Sequence, residues 1–235
     1  MSLAQALNSL PRRRLLDGPT PIRRLHGIEN ALGSSSNRVQ IYAKRDDLMS
    51  LGGGGNKLRK LEFLLGDAAA AGADTIIATG GRQSNFARLA CELVLSRMVP
   101  RGGDEYDRNG NVLLDDLFGA RIHDLPAGVD STHFAQERAE ELRVAGHITY
   151  VATLGGSSPI GCVGYADCAL EIQTQSNDLD VSGQSPKFRT ASRRHDNGHP
   201  ERIAALFPDV QLDAILADVN DDRSVALPSR VSRAS

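Results

Sequence analysis

The stretch Gly52-Gly53-Gly54-Gly55-Asn56-Lys57-Leu58-Arg59-Lys60-Leu61-Glu62-Phe63-Leu64-Leu65-Gly66-Asp67-Ala68 decides how this chain is read. Leu61, Leu64, Leu65 and Ala68 recur at helical spacing, which predicts a helix from about Asn56 to Ala71. At about 100° per residue, Lys57 falls in the middle of that apolar stripe, whereas Arg59 and Glu62 lie on the opposite face. Lys57 is therefore aimed at the interior from the first turn of a helix, directly after a flexible Gly52–Gly55 hinge. The partial positive charge of a helix N-terminus opposes a second positive charge there and favours the neutral amine. A neutral, inward-pointing amine is what Schiff-base chemistry with a carbonyl cofactor requires. The wheel leaves a second reading open, in which Lys57 snorkels to solvent from a frayed first turn.

Strands and helices alternate outward from this segment. Residues 39–44 read as a strand, and residues 74–79 as a buried strand ending in Gly80-Gly81. A helix over 111–118, a short strand over 120–123, a helix over 132–145 and a strand over 147–153 follow. The last strand ends in Gly155-Gly156, and a helix over 160–175 comes next. This order predicts an α/β fold: open, mostly parallel sheets with flanking helices. Ligands of such sheets bind beyond the carboxyl ends of the strands, so both Gly-Gly turns are candidate site loops.

The alternation breaks twice. After Gly81, the residues before Pro100 have room for a helix or a strand but not both, because a parallel crossover needs a dozen or more residues. A single helix from Ser84 to about Met98 satisfies the spacing and leaves one expected element missing. The second break follows Leu179. Residues 176–200 are rich in Ser, Asp, Arg and Asn and read as irregular. Residues 203–207 could form a short helix and residues 210–217 a strand, with an irregular tail over 218–235.

Composition narrows the function classes. The 235 residues carry a net charge of −2, so no basic field for nucleic acid or anionic membrane is present. No apolar run approaches a membrane span, and Arg12, Arg13 and Arg14 lack the apolar core of a secretory signal. Cys91, Cys162 and Cys168 match neither a disulfide framework nor a zinc spacing, and read as small buried residues of a cytoplasmic protein. No metal site is expected.

The loop Gln83-Ser84-Asn85 joins a strand end to a helix start. Ser84 is a good N-cap residue, and the amides behind it are suited to a carboxylate or phosphate; plain capping explains the same residues. Gly155-Gly156-Ser157-Ser158 has the same two readings. Taken together, Lys44-Arg45-Asp46-Asp47-Leu48, the run Gly-Asn56-Lys57-x-Arg59-Lys60-Leu61-Glu62, Gly72-Ala73-Asp74-Thr75, Gln83-Ser84-Asn85 and Gly110-Asn111-Val112-Leu113-Leu114-Asp115 carry more. The set resembles the D-cysteine desulfhydrase and 1-aminocyclopropane-1-carboxylate deaminase family, pyridoxal-phosphate enzymes with the tryptophan synthase β-subunit type of fold. Asp17-Gly18-Pro19-Thr20-Pro21-Ile22 matches the family's opening segment, and the resemblance runs from about Leu10 to Ile172. Residues 106–119 and 161–171 are closer to the desulfhydrase branch.

The resemblance implies pyridoxal 5'-phosphate as cofactor and a small amino acid as substrate. It implies that Lys57 is the Schiff-base lysine and proton shuttle, that Asn85 hydrogen-bonds the ring hydroxyl, and that Lys60 approaches the cofactor phosphate. Ser84 would hold the substrate carboxylate or assist proton transfer, beside Gln83, with Gly155, Gly156 and Ser157 lining the substrate pocket. D-cysteine would yield pyruvate, hydrogen sulfide and ammonia; 1-aminocyclopropane-1-carboxylate deamination and L-cysteate sulfo-lyase activity are the enzymatic alternatives. A family-like homodimer is also implied. The sequence departs from the family pattern where a Gly/Thr-rich phosphate cup is expected, since Asp218-Val219-Asn220-Asp221-Asp222 stands there and would repel a phosphate dianion. By this resemblance the fold has two domains, an incomplete large domain on the cofactor side over residues 1–58 and 160–217 and a small domain over residues 59–159. The chain thus reads as a member with an internal deletion and an unrelated or scrambled C-terminal segment, with weakened cofactor affinity or an inactive site expected.

Overall fold

The computed structural model describes residues 2–33, 40–90, 92–97 and 103–176, without the side chains of Leu89 and Glu105. The expectations for residues 177–235, including the Asp218–Asp222 run, lie outside the described residues, as do Val39 and Cys91. In chain order the elements are α1 (Leu3–Ser9), β1 (Ile22–Arg24), α2 (His26–Ala31), β2 (Tyr42–Lys44), α3 (Lys57–Ala70), β3 (Thr75–Gly81) and β4 (Glu92–Ser96). They continue with α4 (Asp104–Arg108), α5 (Asn111–Leu117), β5 (Arg121–Leu125), α6 (Ser131–Val144), β6 (Thr149–Ala152) and α7 (Pro159–Ser176).

Strands β3, β4, β5 and β6 form one parallel sheet in the order β5-β4-β3-β6, and β1 pairs with β2 antiparallel. The apolar runs in β3 and β4 are continuous because both faces of the sheet are covered. On one face Ala78, Leu93, Leu95 and Ala152 pack with Leu58, Leu61 and Leu64 of α3 and with Phe86 and Ala87. On the other, Ile77, Val94 and Leu125 meet Ala135, Ala139 and Leu142 of α6. The predicted α/β class with a parallel sheet is what the chain adopts.

The single helix expected from Ser84 to Met98 does not form. Residues 92–96 are strand β4, and one 3-10 turn, Ala87–Leu89, stands in the connection from β3. Leu93, Val94 and Leu95 explain the outcome: all are buried, and they point alternately to the two covered faces, which one helix could not arrange. The element the short crossover lacks is therefore the helix, and Phe86 and Ala87 fill the space over β4 in its place.

The wheel of α3 also needs correction. Its polar face is not solvated: Arg59, Lys60 and Glu62 are all fully buried. Arg59 forms a fork on Asp46, with Nε to Oδ2 and Nη2 to Oδ1 both at 2.8 Å, and donates to both oxygens of Glu171 at 3.0 Å. Thr20 joins through its hydroxyl at 2.8 Å from Asp46, and Lys44 closes the network with Nζ 2.7 Å from Glu171. One turn on, Glu62 accepts from Arg12 and from the backbone N–H groups of Leu15 and Leu16, at 2.7 and 2.9 Å. A Cβ on Gly164 would lie 2.1 Å from the Arg59 carbonyl, so glycine is what lets α7 approach α3 this closely. Buried charge survives here because each carboxylate is paired and multiply hydrogen-bonded.

Two buried carboxylates have opposite pH signatures. Burial acts to raise the Glu171 carboxyl, but Arg59 and Lys44 outweigh it and hold it below its ordinary value of 4.5. Its stabilising contribution is then present above about that pH and is lost on acidification. Truncation by Glu171→Ala leaves Arg59 buried with Asp46 alone, and urea denaturation should show a loss of about 3 kcal/mol at neutral pH. Asp115 on α5 behaves the other way. Burial pushes its carboxyl from 3.8 up to about 6, with the Arg88 charge only partly opposing. The folded state keeps this proton after the unfolded chain has lost it, so stability falls as pH rises between those values. Asp115→Asn should flatten that fall and raise stability at pH 7 by roughly 1–3 kcal/mol. A wild-type slope retained in the variant would show that Asp115 is not its source.

Candidate functional site

The strand order locates the site. From β3 the chain proceeds outward to β4 and then β5, and afterwards returns to the opposite side of β3 to place β6. The topological switch point thus lies between β3 and β6, and in open α/β sheets the crevice at the carboxyl ends of such strands is where ligands bind. The loop leaving β3 carries Gln83, Ser84 and Asn85; the loop leaving β6 carries Gly155, Gly156 and Ser157. The two loops meet Leu64 of α3 through Phe86: a Cβ on Gly156 would lie 2.6 Å from the Phe86 ring and 3.0 Å from Leu64.

Lys57 is the first residue of α3 and is half-buried, with Asn56 as N-cap. The first turn holds no acidic residue. Ahead of it the glycine loop is pinned rather than loose. Gly54 has φ 75°, and a Cβ there would come within 2.7 Å of the Met49 carbonyl, so the turn admits only glycine. The Gly55 N–H donates to the Asp46 carbonyl at 3.0 Å, and the Asn56 amide donates to the Tyr165 hydroxyl at 2.7 Å.

Asn85 is exposed, and its orientation is fixed from behind. Its Oδ1 accepts from Asn111 Nδ2 at 2.8 Å and from Arg88 Nη1 at 3.4 Å. Arg88, which can only donate, also donates from Nη1 to Asn111 Oδ1 at 2.7 Å and from Nη2 to the Gly54 carbonyl. Both amides are thereby oriented, and Asn85 presents Nδ2, a donor, away from the cluster. Gln83 is held as firmly: its Nε2 donates to the carbonyls of Tyr106 and Asn109, and its Oε1 accepts from the Asn111 N–H.

Ser84 does not cap a long helix. Its hydroxyl oxygen accepts from the N–H groups of Phe86 and Ala87, both at 3.2 Å, and so closes a single turn. The amides expected to receive an anion are thus occupied, and the short 3-10 segment has no appreciable macrodipole. Lys60 is carried deeper than Lys57: its Nζ donates to Ser157 Oγ at 3.3 Å and lies 5.5 Å over the Tyr165 ring. The sequence reading missed Arg88 and the supporting role of Asn111. An arginine inside Phe86-Ala87-Arg88-Leu89, an otherwise apolar run, was the available signal.

This donor set, an amine on the first turn of α3 and the oriented Asn85 amide, fits the carbonyl and ring end of the implied cofactor. Among the described residues, no group of three His, Cys, Asp or Glu side chains could hold a metal, and no helix is long and apolar enough to cross a membrane.

Comparison with known proteins identifies the family. Residues 13–184 match the model of the pyridoxal-phosphate dependent enzyme family. The chain is 36% identical over 222 residues to a D-cysteine desulfhydrase of Serratia proteamaculans (strain 568), covering 90% of this chain and 66% of that protein. It is 37% identical over 230 residues to a D-cysteine desulfhydrase of Salmonella paratyphi B, covering 94% and 67%. The chain thus spans about two thirds of the length of the curated relatives it matches. A crystal structure of an ACC deaminase homologue superposes with a TM-score of 0.64 at 39% identity, covering 74% of this chain and 53% of that one. On the site geometry and these matches together, the chain belongs to the pyridoxal-phosphate dependent enzyme family.

Proposed function

We propose that this chain is a pyridoxal-phosphate-dependent carbon–sulfur lyase acting on a small amino acid, with D-cysteine as the best-matched substrate. The observation that carries the reading is the position of Lys57: a half-buried amine on the first turn of α3, three residues from a glycine loop tied to Asn85. When bound, the cofactor supplies the electron sink that lets an α-proton and then a β-substituent leave. Lys57 Nζ would hold the cofactor at its carbonyl carbon and move the α-proton, a task that needs the neutral amine. Asn85 Nδ2 would donate to the ring oxygen. The Ser84 O–H and the 155–157 loop orient the substrate, with the Gln83 backbone fixed beneath them by Asn111. The net conversion takes D-cysteine and one water to pyruvate, hydrogen sulfide and ammonia.

Phosphate anchoring is the weak part of the site. The Ser84 hydroxyl takes up two of the turn's N–H groups, those of Phe86 and Ala87, and Lys60 is engaged with Ser157, so the proposed affinity for the cofactor is low. That feature, with no α-helix among the described residues 82–90 of the crossover, favours a second reading in which the fold persists with little turnover. A cytoplasmic protein with a small-molecule substrate belongs to the proposal, and so does a homodimer. Association is supported by Leu113, Leu117 and Phe118, exposed together along α5.

Titration of the purified chain with pyridoxal phosphate, following visible absorbance and pyruvate from D-cysteine, tests both readings against Lys57→Ala. The expected result is Lys57-dependent absorbance that saturates only well above the protein concentration, with slow pyruvate release. Tight stoichiometric binding would overturn the weak-anchor reading. Absorbance that is absent, or equal in Lys57→Ala, would overturn the assignment of Lys57.

A further inference from the structure

Arg88 is 5% exposed, yet no carboxylate lies within hydrogen-bond distance of it among the described residues. Its partners are three neutral oxygens from three segments: the Gly54 carbonyl before α3, Asn85 Oδ1 after β3, and Asn111 Oδ1 at the start of α5. Asp115 is the buried carboxylate nearby, and it acts on Arg88 through space. Burying a guanidinium on such partners is a poor way to gain stability, because desolvation is opposed only by neutral acceptors. It is an effective way to fix geometry. The planar fork cannot accept a hydrogen bond, so it dictates which end of each amide faces inward.

We propose that Arg88 is a positioning residue that locks Asn85 and the glycine loop preceding Lys57 into one rigid unit. Through Gly54 it sets where α3 begins, and through Asn85 and Asn111 it keeps Asn85 Nδ2 directed at the ligand. The inference rests on the Lys57–Asn85 reading of the cofactor site. It adds a residue that touches neither cofactor nor substrate. Lysine cannot replace it, because an ammonium offers no planar fork to span three acceptors.

The test compares wild type with Arg88→Lys and Arg88→Met, and uses Arg138→Met, which removes an arginine on Glu92 away from the site, as the control. Two readouts are taken. Amide hydrogen exchange over residues 52–56, in protein without cofactor, reads the coupling itself. The dissociation constant and absorbance maximum of bound pyridoxal phosphate read its consequence for Asn85. Arg88→Lys should exchange faster over 52–56, bind cofactor about 10-fold more weakly and show a displaced maximum; Arg138→Met should change none of these. If Arg88→Met does not fold, Arg88→Lys, which keeps the charge, carries the comparison. Wild-type exchange over 52–56 in a folded Arg88 variant would overturn the proposal, as would unchanged binding with an unchanged maximum. If wild type forms no Lys57-dependent absorbance, the cofactor reading fails separately, and the exchange comparison still decides whether Arg88 couples the two segments.

Discussion

Everything in this structure hangs from Arg59. Its guanidinium joins four stretches that are distant in sequence: the opening segment at Thr20, the turn after β2 at Asp46, α3 itself, and α7 at Glu171. A bidentate fork on one carboxylate and two further bonds to another are among the stronger polar contacts a protein interior offers. They also leave little freedom for the helix that carries them. Lys57 lies two residues earlier on that helix, so the same contacts that bury Arg59 determine where the Lys57 amine can go. Glu62 repeats the arrangement one turn later with Arg12 and two backbone N–H groups. The helix that opens the site is therefore held along its length by buried ion pairs on one side and by the sheet on the other.

The candidate site lies where topology leaves a crevice. A parallel sheet whose strand order reverses at β3 and β6 leaves a crevice between the two loops that follow them. Those loops are polar and glycine-rich, carrying Gln83, Ser84 and Asn85 after β3 and Gly155, Gly156 and Ser157 after β6. The N-terminus of α3 completes the third side. Residues 82–90 hold no α-helix; Phe86 and Ala87 cover the sheet there and Arg88 reaches back to Gly54. A helix after Asn85 would have offered several aligned N–H groups to an anion; a single turn closed by Ser84 does not.

Much of this was legible in the residues. The apolar period of α3, the buried runs that became β3 and β6, and the helices α5, α6 and α7 all follow from spacing and punctuation. The Gly-Gly pairs mark strand ends, with Gly80 and Gly81 closing β3 and Gly155 and Gly156 in the turn that follows β6. Strand β4 was not legible, because its ten-residue spacing from β3 is below the usual crossover length, and Leu93-Val94-Leu95 fits helix or strand until both of its faces are known to be covered. The buried polar side of α3 was hidden for a different reason. Arg59 and Glu62 read as solvent-facing on a wheel, and their partners Asp46, Glu171 and Arg12 are brought to them only by the tertiary fold. Arg88 was hidden likewise, since Gly54 and Asn111 are far from it in sequence.

The claim that Lys57 is the reactive amine can be tested at the level of a single atom. Hydride reduction of the chain incubated with pyridoxal phosphate, followed by peptide mass mapping, identifies which lysine carries the cofactor. The account predicts one dominant adduct on Lys57, formed at cofactor concentrations that leave Lys44 and Lys60 unmodified. A dominant adduct on Lys44, Lys60 or Lys187, or modification spread evenly among them, would contradict it.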